Sequence, residues 1–231
     1  VLDDSRERSR RLAAVARNAF PDAEIVGYDG WEGGELPGTG PAQALEATAD
    51  IVVDARRELG QYVLDRVGDN GTRMRELQRV LRDIDHLAVV SHDNPDPDAI
   101  ASGVALARLA QRAGCEAEVC YYGEITHQEN LAFVNMLDLD LRGLEPDEEL
   151  AEFDGIALVD HSRPGVNDQL PPGIGVDIVI DHHPPRSPVN AGFVDLRSSV
   201  GATSTLLVDY IDQFDIPFDE TLATALLFGI H

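Results

Sequence analysis

Residues 86–101 read HLAVVSHDNPDPDAIA: a short apolar run, a turn dense in acids and prolines, then the start of a helix. The apolar run predicts a buried strand over 87–91, and the spacing beyond it predicts a helix over 99–112. Between them His92, Asp96 and Asp98 stand at spacing H-x-x-x-D-x-D. Pro95 and Pro97 each fix their own φ and disfavour helix in the residue before, so the backbone is extended and the three side chains can converge on one crevice. Carboxylates this close repel and raise one another's pKa unless a cation sits between them, and a divalent metal is such a cation. The position agrees, because open α/β sheets carry their sites just beyond the carboxyl ends of the strands. A solvated turn rich in Asx and Pro, with Asp98 capping the helix, accounts for the same residues equally well.

Two later stretches separate these readings. FDGIALVDHSR (153–163) holds a predicted strand over 155–159 that ends in Asp160, and VDIVIDHHPP (176–185) holds another over 176–180 that ends in Asp181, His182 and His183. Three strands that each deliver acid or imidazole at the C-terminal end favour a metal site over solvated turns. Around them the pattern alternates: a strand over 116–122, helices over 128–136, 202–214 and 219–229. This order predicts an α/β domain whose sheet is mostly parallel, with right-handed crossovers and helices on both faces. The strands are short and continuously apolar, as doubly covered strands are.

Taken in order, HDNPDPD, LVD and Asp181-His182-His183 resemble the DHH phosphoesterases. That superfamily includes RecJ-like exonucleases, nanoRNases and pAp phosphatases, cyclic-dinucleotide phosphodiesterases and family II pyrophosphatases. The resemblance covers residues 87–231. It implies that His92 and Asp96 hold one metal ion, Asp98 and His182 the other, and that Asp160 bridges them. Manganese is the implied ion, with magnesium the alternative; carboxylate oxygens with imidazole suit Mn²⁺, and the lack of thiolates speaks against a structural zinc site. Asp181 is expected to orient His182 or to shape the turn. The implied chemistry is two-metal hydrolysis of a nucleotide or short oligonucleotide, with Asp160 and His183 catalytic and His183 donating to the substrate phosphate or leaving group. His161 is expected on the opposite strand face if the strand persists, either a satisfied histidine behind the metal ligands or a surface one. Arg163 and Arg186 follow the metal-bearing strands, and Thr203 and Ser204 open a helix with free N–H groups. All four are candidates for phosphate contacts, although surface arginines and an ordinary helix cap explain them as well. In the family a further acidic ligand follows the Gly-Ile seen at 229–230, and a DHHA1 domain comes later. With His231 last, the chain reads as a fragment truncated at both ends, and one with weakened metal binding or lost catalysis.

The N-terminal part is organised differently. A strand end at 1–4, an Arg-rich helix over 5–19, the strand AEIVGY (23–28) and a Gly/Pro-rich loop over 29–41 resemble the later part of a Rossmann-like unit of the TrkA-N or RCK type. No G-x-G-x-x-G is present, and a plain α/β unit fits as well; the resemblance would imply an NAD or nucleotide effector. The expected organisation is 1–54 for this unit, with a short strand over 51–53. Connecting helices follow over 55–85, with helices over 55–67 and around Met74, Leu77, Val80, Leu81 and Ile84. The DHH domain takes 86–231.

Composition narrows the function classes. The 231 residues are 43% apolar, enough for a sizeable core. Acids outnumber bases 42 to 18 for a net charge of −24, and every base is arginine. Such a surface suits a saline cytoplasm, as in a haloarchaeon, although GC-rich coding also explains the arginines. Grip on long DNA calls for a basic face that this chain lacks, so small substrates held by metal fit better. Cys115 and Cys120 read as reduced thiols of a cytoplasmic protein. No apolar run reaches membrane-span length. The readings that remain besides the first are a nucleotide-sensing regulatory protein, a RecJ-like single-strand exonuclease and a pyrophosphatase-like phosphohydrolase; a homodimer is compatible with each.

Overall fold

The computed structural model describes residues 26–29, 51–54 and 69–231 apart from 147. The chain divides into two compact units, Val1–Asn70 and Gly71–His231. In the first, strands β1 (Val26–Asp29) and β2 (Ile51–Asp54) pair in parallel with Val26 opposite Ile51. A parallel pair needs a crossover connection rather than a hairpin, as a strand-helix-strand unit provides. The strand expected at 1–4 and the helices expected over 5–19 and 55–67 lie outside the described residues.

The second unit opens with helix α1 (Asp69–Arg82) and alternates β3 (His86–Val90), α2 (Pro97–Ala113), β4 (Glu116–Tyr122), α3 (Gln128–Met136) and β5 (Leu141–Leu144). Strands β6 (Gly155–Val159), β7 (Ile178–Asp181) and β8 (Phe193–Leu196) follow, then helices α4 (Thr203–Gln213) and α5 (Glu220–Ile230). The six strands form one sheet in the order β5-β4-β3-β6-β7-β8, parallel throughout. The chain therefore builds outward from β3 to one edge, returns to the centre and builds to the other edge. The reversal lies between β3 and β6, where a crevice opens at the carboxyl ends.

Alternate residues of the central strands enter two cores. Leu87 and Val89 of β3, Ala157 and Val159 of β6, and Ile178 and Ile180 of β7 pack against Leu77, Leu81, Ile100, Leu106, Leu109, Leu206 and Leu222 from the helices. Burying each such aliphatic side chain contributes about 1.5–3 kcal/mol. Ala88, Val90, Leu158 and Val179 face the other way, onto Leu150, Phe153 and Leu170. Helices on both faces were expected, but among the described residues the second core contains no helical side chain. The reversal of direction explains this. Right-handed crossovers place the β6–β7 and β7–β8 connections on that face, and their prolines at 164, 171, 172, 184, 185 and 188 keep them from becoming helices.

At the other face α5 crosses the starts of α2 and α4 closely at Gly229. A Cβ there would lie 2.5 Å from Ser204 Oγ and 3.0 Å from both Ala101 Cβ and Pro97 O, so only glycine allows the approach. The two edge strands, β5 and β8, have no counterpart in the sequence expectations.

Candidate metal centre

His92 follows β3 and Asp160 follows β6, so the two flank the crevice at the reversal point. The turn after β3 is pinned on two sides. Asn94 takes a left-handed backbone (φ 50°), and its Oδ1 accepts from Thr126 N (2.8 Å) and Thr126 Oγ1 (2.9 Å). Asn130 Nδ2 donates to Pro95 O at 3.1 Å, and Asp93 N donates to Asn167 O at 2.6 Å. Within the turn His92 Nδ1 donates to Asp93 O at 2.9 Å, which leaves Nε2 to face the crevice. The helix cap is Asp96, whose Oδ1 accepts from Ala99 N at 3.0 Å, and not Asp98 as the capped-turn reading had it. The start at Pro97 explains the shift, since proline favours the first helical position.

Asp160 is 3% exposed and sits in the left-handed region (φ 61°), a conformation that costs a non-glycine residue about 1–3 kcal/mol and that clusters at functional sites. Its Oδ2 lies 3.6 Å from His92 Nε2, which in turn is 3.9 Å from Asp96 Oδ1. Its Oδ1 lies 3.5 Å from His182 Nε2 and 3.8 Å from His183 Nδ1, and accepts from Thr203 Oγ1 at 2.8 Å. The ligand atoms thus form two groups with Asp160 in both: His92, Asp96 and Asp160, and Asp160, His182 and His183, each with all its atoms within 4.8 Å of one another.

Asp98 has partners besides His182. Its Oδ2 is 3.8 Å from His182 Nε2, but both oxygens also accept backbone N–H groups at the start of α4: Ser204 N to Oδ1 at 2.7 Å and Thr203 N to Oδ2 at 2.8 Å. The N–H groups of Thr203 and Ser204, expected to be free for an anion, are therefore taken by a carboxylate of the chain itself. Thr203 Oγ1 is occupied too, between Asp160 and the His182 N–H (3.2 Å). Asp181 orients His183 rather than His182: its Oδ1 accepts from His183 N at 2.9 Å and His183 Nδ1 at 2.8 Å. Arg186 is exposed, while Arg163 is half-buried with Nη2 enclosed and without a hydrogen-bond partner. His161 is buried, not on the surface, and is bonded through Nδ1 to Val159 O at 2.9 Å.

These separations fit a shared ion. Two ligands each about 2.1 Å from one ion stand about 3.0–4.2 Å apart for bond angles from 90° upward. The N···O gaps of 3.5–3.9 Å fall in that interval and are longer than hydrogen bonds. Carboxylates and imidazoles without thiolate suit Mn²⁺ better than a structural zinc. Cys115 and Cys120, elsewhere in the unit, are buried and unlinked, and burial pushes their thiols up to about 11 and about 12.

The protonation pattern is that of an acid cluster short of positive charge. Burial alone would lower His92, but the facing Asp160 and Asp96 carboxylates outweigh it and raise the imidazole to about 10. Asp96 is correspondingly held below the usual carboxylate range by His92. Burial, and then the Asp160 charge, raise Asp98. Burial opposes protonation of His183, and the Asp181 contact overcomes it and raises that imidazole as well. Sequence reasoning missed Asn94, Thr126, Asn130 and Asn167 as supports of the turn. Asn94 departs from the extended backbone expected before Pro95, and the one local signal for this was asparagine's tolerance of the left-handed region.

Residues 86–230 match the model of the DHH family, N-terminal domain. The chain belongs to the DHH family. Its DHH domain is 41% identical over 146 residues to an uncharacterized protein of Methanocaldococcus jannaschii, a match that covers 63% of this chain and 30% of that protein. It is 29% identical over 143 residues to a probable manganese-dependent inorganic pyrophosphatase of Lactobacillus acidophilus, covering 62% of this chain and 45% of the relative. A protein of the same description from Deinococcus radiodurans is 35% identical over 127 residues, covering 53% and 38%. The chain thus spans less than half the length of these relatives. Among solved structures, an exopolyphosphatase-related protein from Bacteroides fragilis shares the fold, with a TM-score of 0.55 at 18% identity over 69% of this chain and 49% of that one. Among the described residues no helix is long and apolar enough to cross a membrane.

Proposed function

We propose that the DHH domain is a manganese-dependent phosphohydrolase that acts on a small phosphorylated substrate. The observation that carries this reading is the place of Asp160 between two imidazoles, its Oδ2 3.6 Å from His92 Nε2 and its Oδ1 3.5 Å from His182 Nε2, an arrangement suited to two neighbouring cations. His92 and Asp96 would hold one ion and His182 and Asp98 the other, with Asp160 available to both. When bound, the ions supply an acidified water and offset charge on the phosphoryl oxygens. The acids position that pair, and Thr203 Oγ1 fixes the rotamer of the shared carboxylate. His183, 57% exposed and the most open group of the centre, is assigned to the substrate rather than to an ion. Its Nδ1 is committed to Asp181, so Nε2 is the atom that donates to the phosphate or the leaving oxygen. The Asp181 carboxylate raises His183, which favours its protonated form.

The substrate is a nucleotide or short oligonucleotide, or pyrophosphate. The net charge of −24 favours any of these over long single strands, which need a basic track. Pyrophosphate is favoured by the names of the Lactobacillus and Deinococcus relatives. An assay of the full-length protein with Mn²⁺ in high salt, against pyrophosphate, pAp, a dinucleotide and a cyclic dinucleotide, tests the proposal. Product release that disappears in Asp160→Ala is the expected result. Metal binding without turnover on any substrate would move the function to ligand sensing.

A further inference from the structure

We infer that His161 and Asp168 are positioning residues that set the backbone of Asp160 and tie it to the His92 turn. The inference rests on the metal reading above for its functional meaning, and on geometry for its substance. Asp160 holds its left-handed backbone between Val159 and His161, and the His161 ring reaches back across it: Nδ1 donates to Val159 O at 2.9 Å. Donor and acceptor flank Asp160 on either side, so this bond closes a clasp around the residue whose carboxylate both ligand groups share.

The other ring nitrogen continues outward. Nε2 lies 2.9 Å from Asp168 Oδ2, and the two side chains are 6% and 0% exposed. Asp168 Oδ1 accepts from Gly165 N and Leu170 N, both at 2.7 Å, and so closes the loop that begins at His161. That loop then grips the opposite wall of the crevice. Asn167, itself left-handed at φ 63°, offers its carbonyl to Asp93 N at 2.6 Å, and Gln169 Nε2 donates to Asp93 Oδ2 at 3.2 Å. One run of contacts therefore leads from the turn at Asp160 through His161 and Asp168 to the residue after His92.

The run is only partly satisfied. The Nε2–Oδ2 approach is short but off the line of a hydrogen bond. Of the five buried side-chain N and O atoms without a partner among the described residues, four belong here: Asp93 Oδ1, His161 Nε2, Arg163 Nη2 and Asp168 Oδ2. Two of these, His161 Nε2 and Asp168 Oδ2, face each other at 2.9 Å, so the pair is held by proximity of opposite polarity rather than by an aligned hydrogen bond.

The test uses the full chain with Asp168→Asn, which keeps volume and an Oδ1 acceptor for both N–H groups, and with His161→Asn, which can keep the bond to Val159 O while losing Asp168. Two readouts are taken: hydrogen exchange at the Asp93 and Asp160 amides in metal-free protein, and Mn²⁺ binding isotherms. The expected result for Asp168→Asn and for His161→Asn, which both keep the clasp and lose the same link, is faster exchange at Asp93 with Asp160 still protected, unchanged exchange in α3, and Mn²⁺ affinity lower by about 10–100-fold, the range for groups that orient metal ligands. His161→Ala, which removes the clasp as well, is expected to speed exchange at both amides. Unchanged exchange at both amides in all three variants overturns the inference. Wild-type protein that binds no Mn²⁺ overturns the metal reading instead, and exchange then still decides the positioning roles.

Discussion

The two ligand groups that meet at Asp160 are built by opposite means. The His92 group grows from an irregular turn that is stiffened by two prolines and pinned from outside by Thr126, Asn130 and Asn167. The His182 and His183 group follows straight on from β7 and is held by the adjacent Asp181 and by Thr203 at the start of α4, 21 positions on. Exposure does not follow construction: His92 and His182 are each 20% exposed, whereas Asp96 and His183 are 55% and 57%. A side chain buried by long-range contacts suits a fixed ligand, whereas an open one beside it suits a group that meets the substrate. Construction therefore separates the two groups, and exposure separates His183 from the enclosed imidazole beside it.

That division can be broken most strongly at the residue common to both halves. Asp160→Ala should lower Mn²⁺ affinity at both positions by more than about 100-fold, beyond the range for losing an orienting group, and calorimetric titration should then show neither ion. Asp98→Ala is confined to one half. It should leave one Mn²⁺ position intact by the same titration and reduce thermal stability by about 1–3 kcal/mol, because two N–H groups at the start of α4 lose their acceptor. The proton on His92 sharpens the contrast through pH. In the metal-free protein its imidazole is raised from 6.5 to about 10, so its stabilising contribution is complete below pH 6.5 and is lost as pH rises through about 10. Metal must displace that proton, so affinity at the His92 position should rise by about tenfold per pH unit between pH 7 and 9, measured by titration in buffers of matched ionic strength. The smallest effect is expected at Asp181→Asn. This variant should slow turnover by about tenfold, as weakened general acid catalysis does, while Mn²⁺ affinity stays within about threefold of wild type; equal loss in both would merge the two halves.

The central strands and the ligand-type residues were legible because chemistry and period agreed there. The strands over 116–122 and 155–159 and the helix over 128–136 coincide with β4, β6 and α3, since each is a continuous apolar or amphipathic run between turn residues. The edge strands were not legible, because an edge is held by polar contacts that carry no period. In β5 Arg142 meets Glu118, Glu148 and Glu152 at 3.2, 2.6 and 2.7 Å, and in β8 the buried Asp195 accepts from Tyr210 Oη at 2.7 Å and from Arg197 Nη2 at 2.8 Å. At the centre the residue types could be read but their pairings could not. The Asp98–Ser204 contact joins residues 106 positions apart, and only the sheet order brings α2 and α4 together. For His161 the choice between a supporting and a surface place could not be read for a related reason. Strand alternation says nothing beyond Val159, where β6 ends, and the left-handed backbone at Asp160 returns the ring to the interior.

The grip of α4 on Asp98 has an electrical side. A helix start carries about half a positive charge, spread over its unbonded N–H groups, and α4 directs two of these at Asp98 while its first hydroxyl meets Asp160. Before any ion arrives, the macrodipole serves as a fixed fractional cation for two neighbouring acids. The cluster can then be loaded and emptied with its walls in place, because α4 offsets part of the repulsion that would otherwise drive the carboxylates apart.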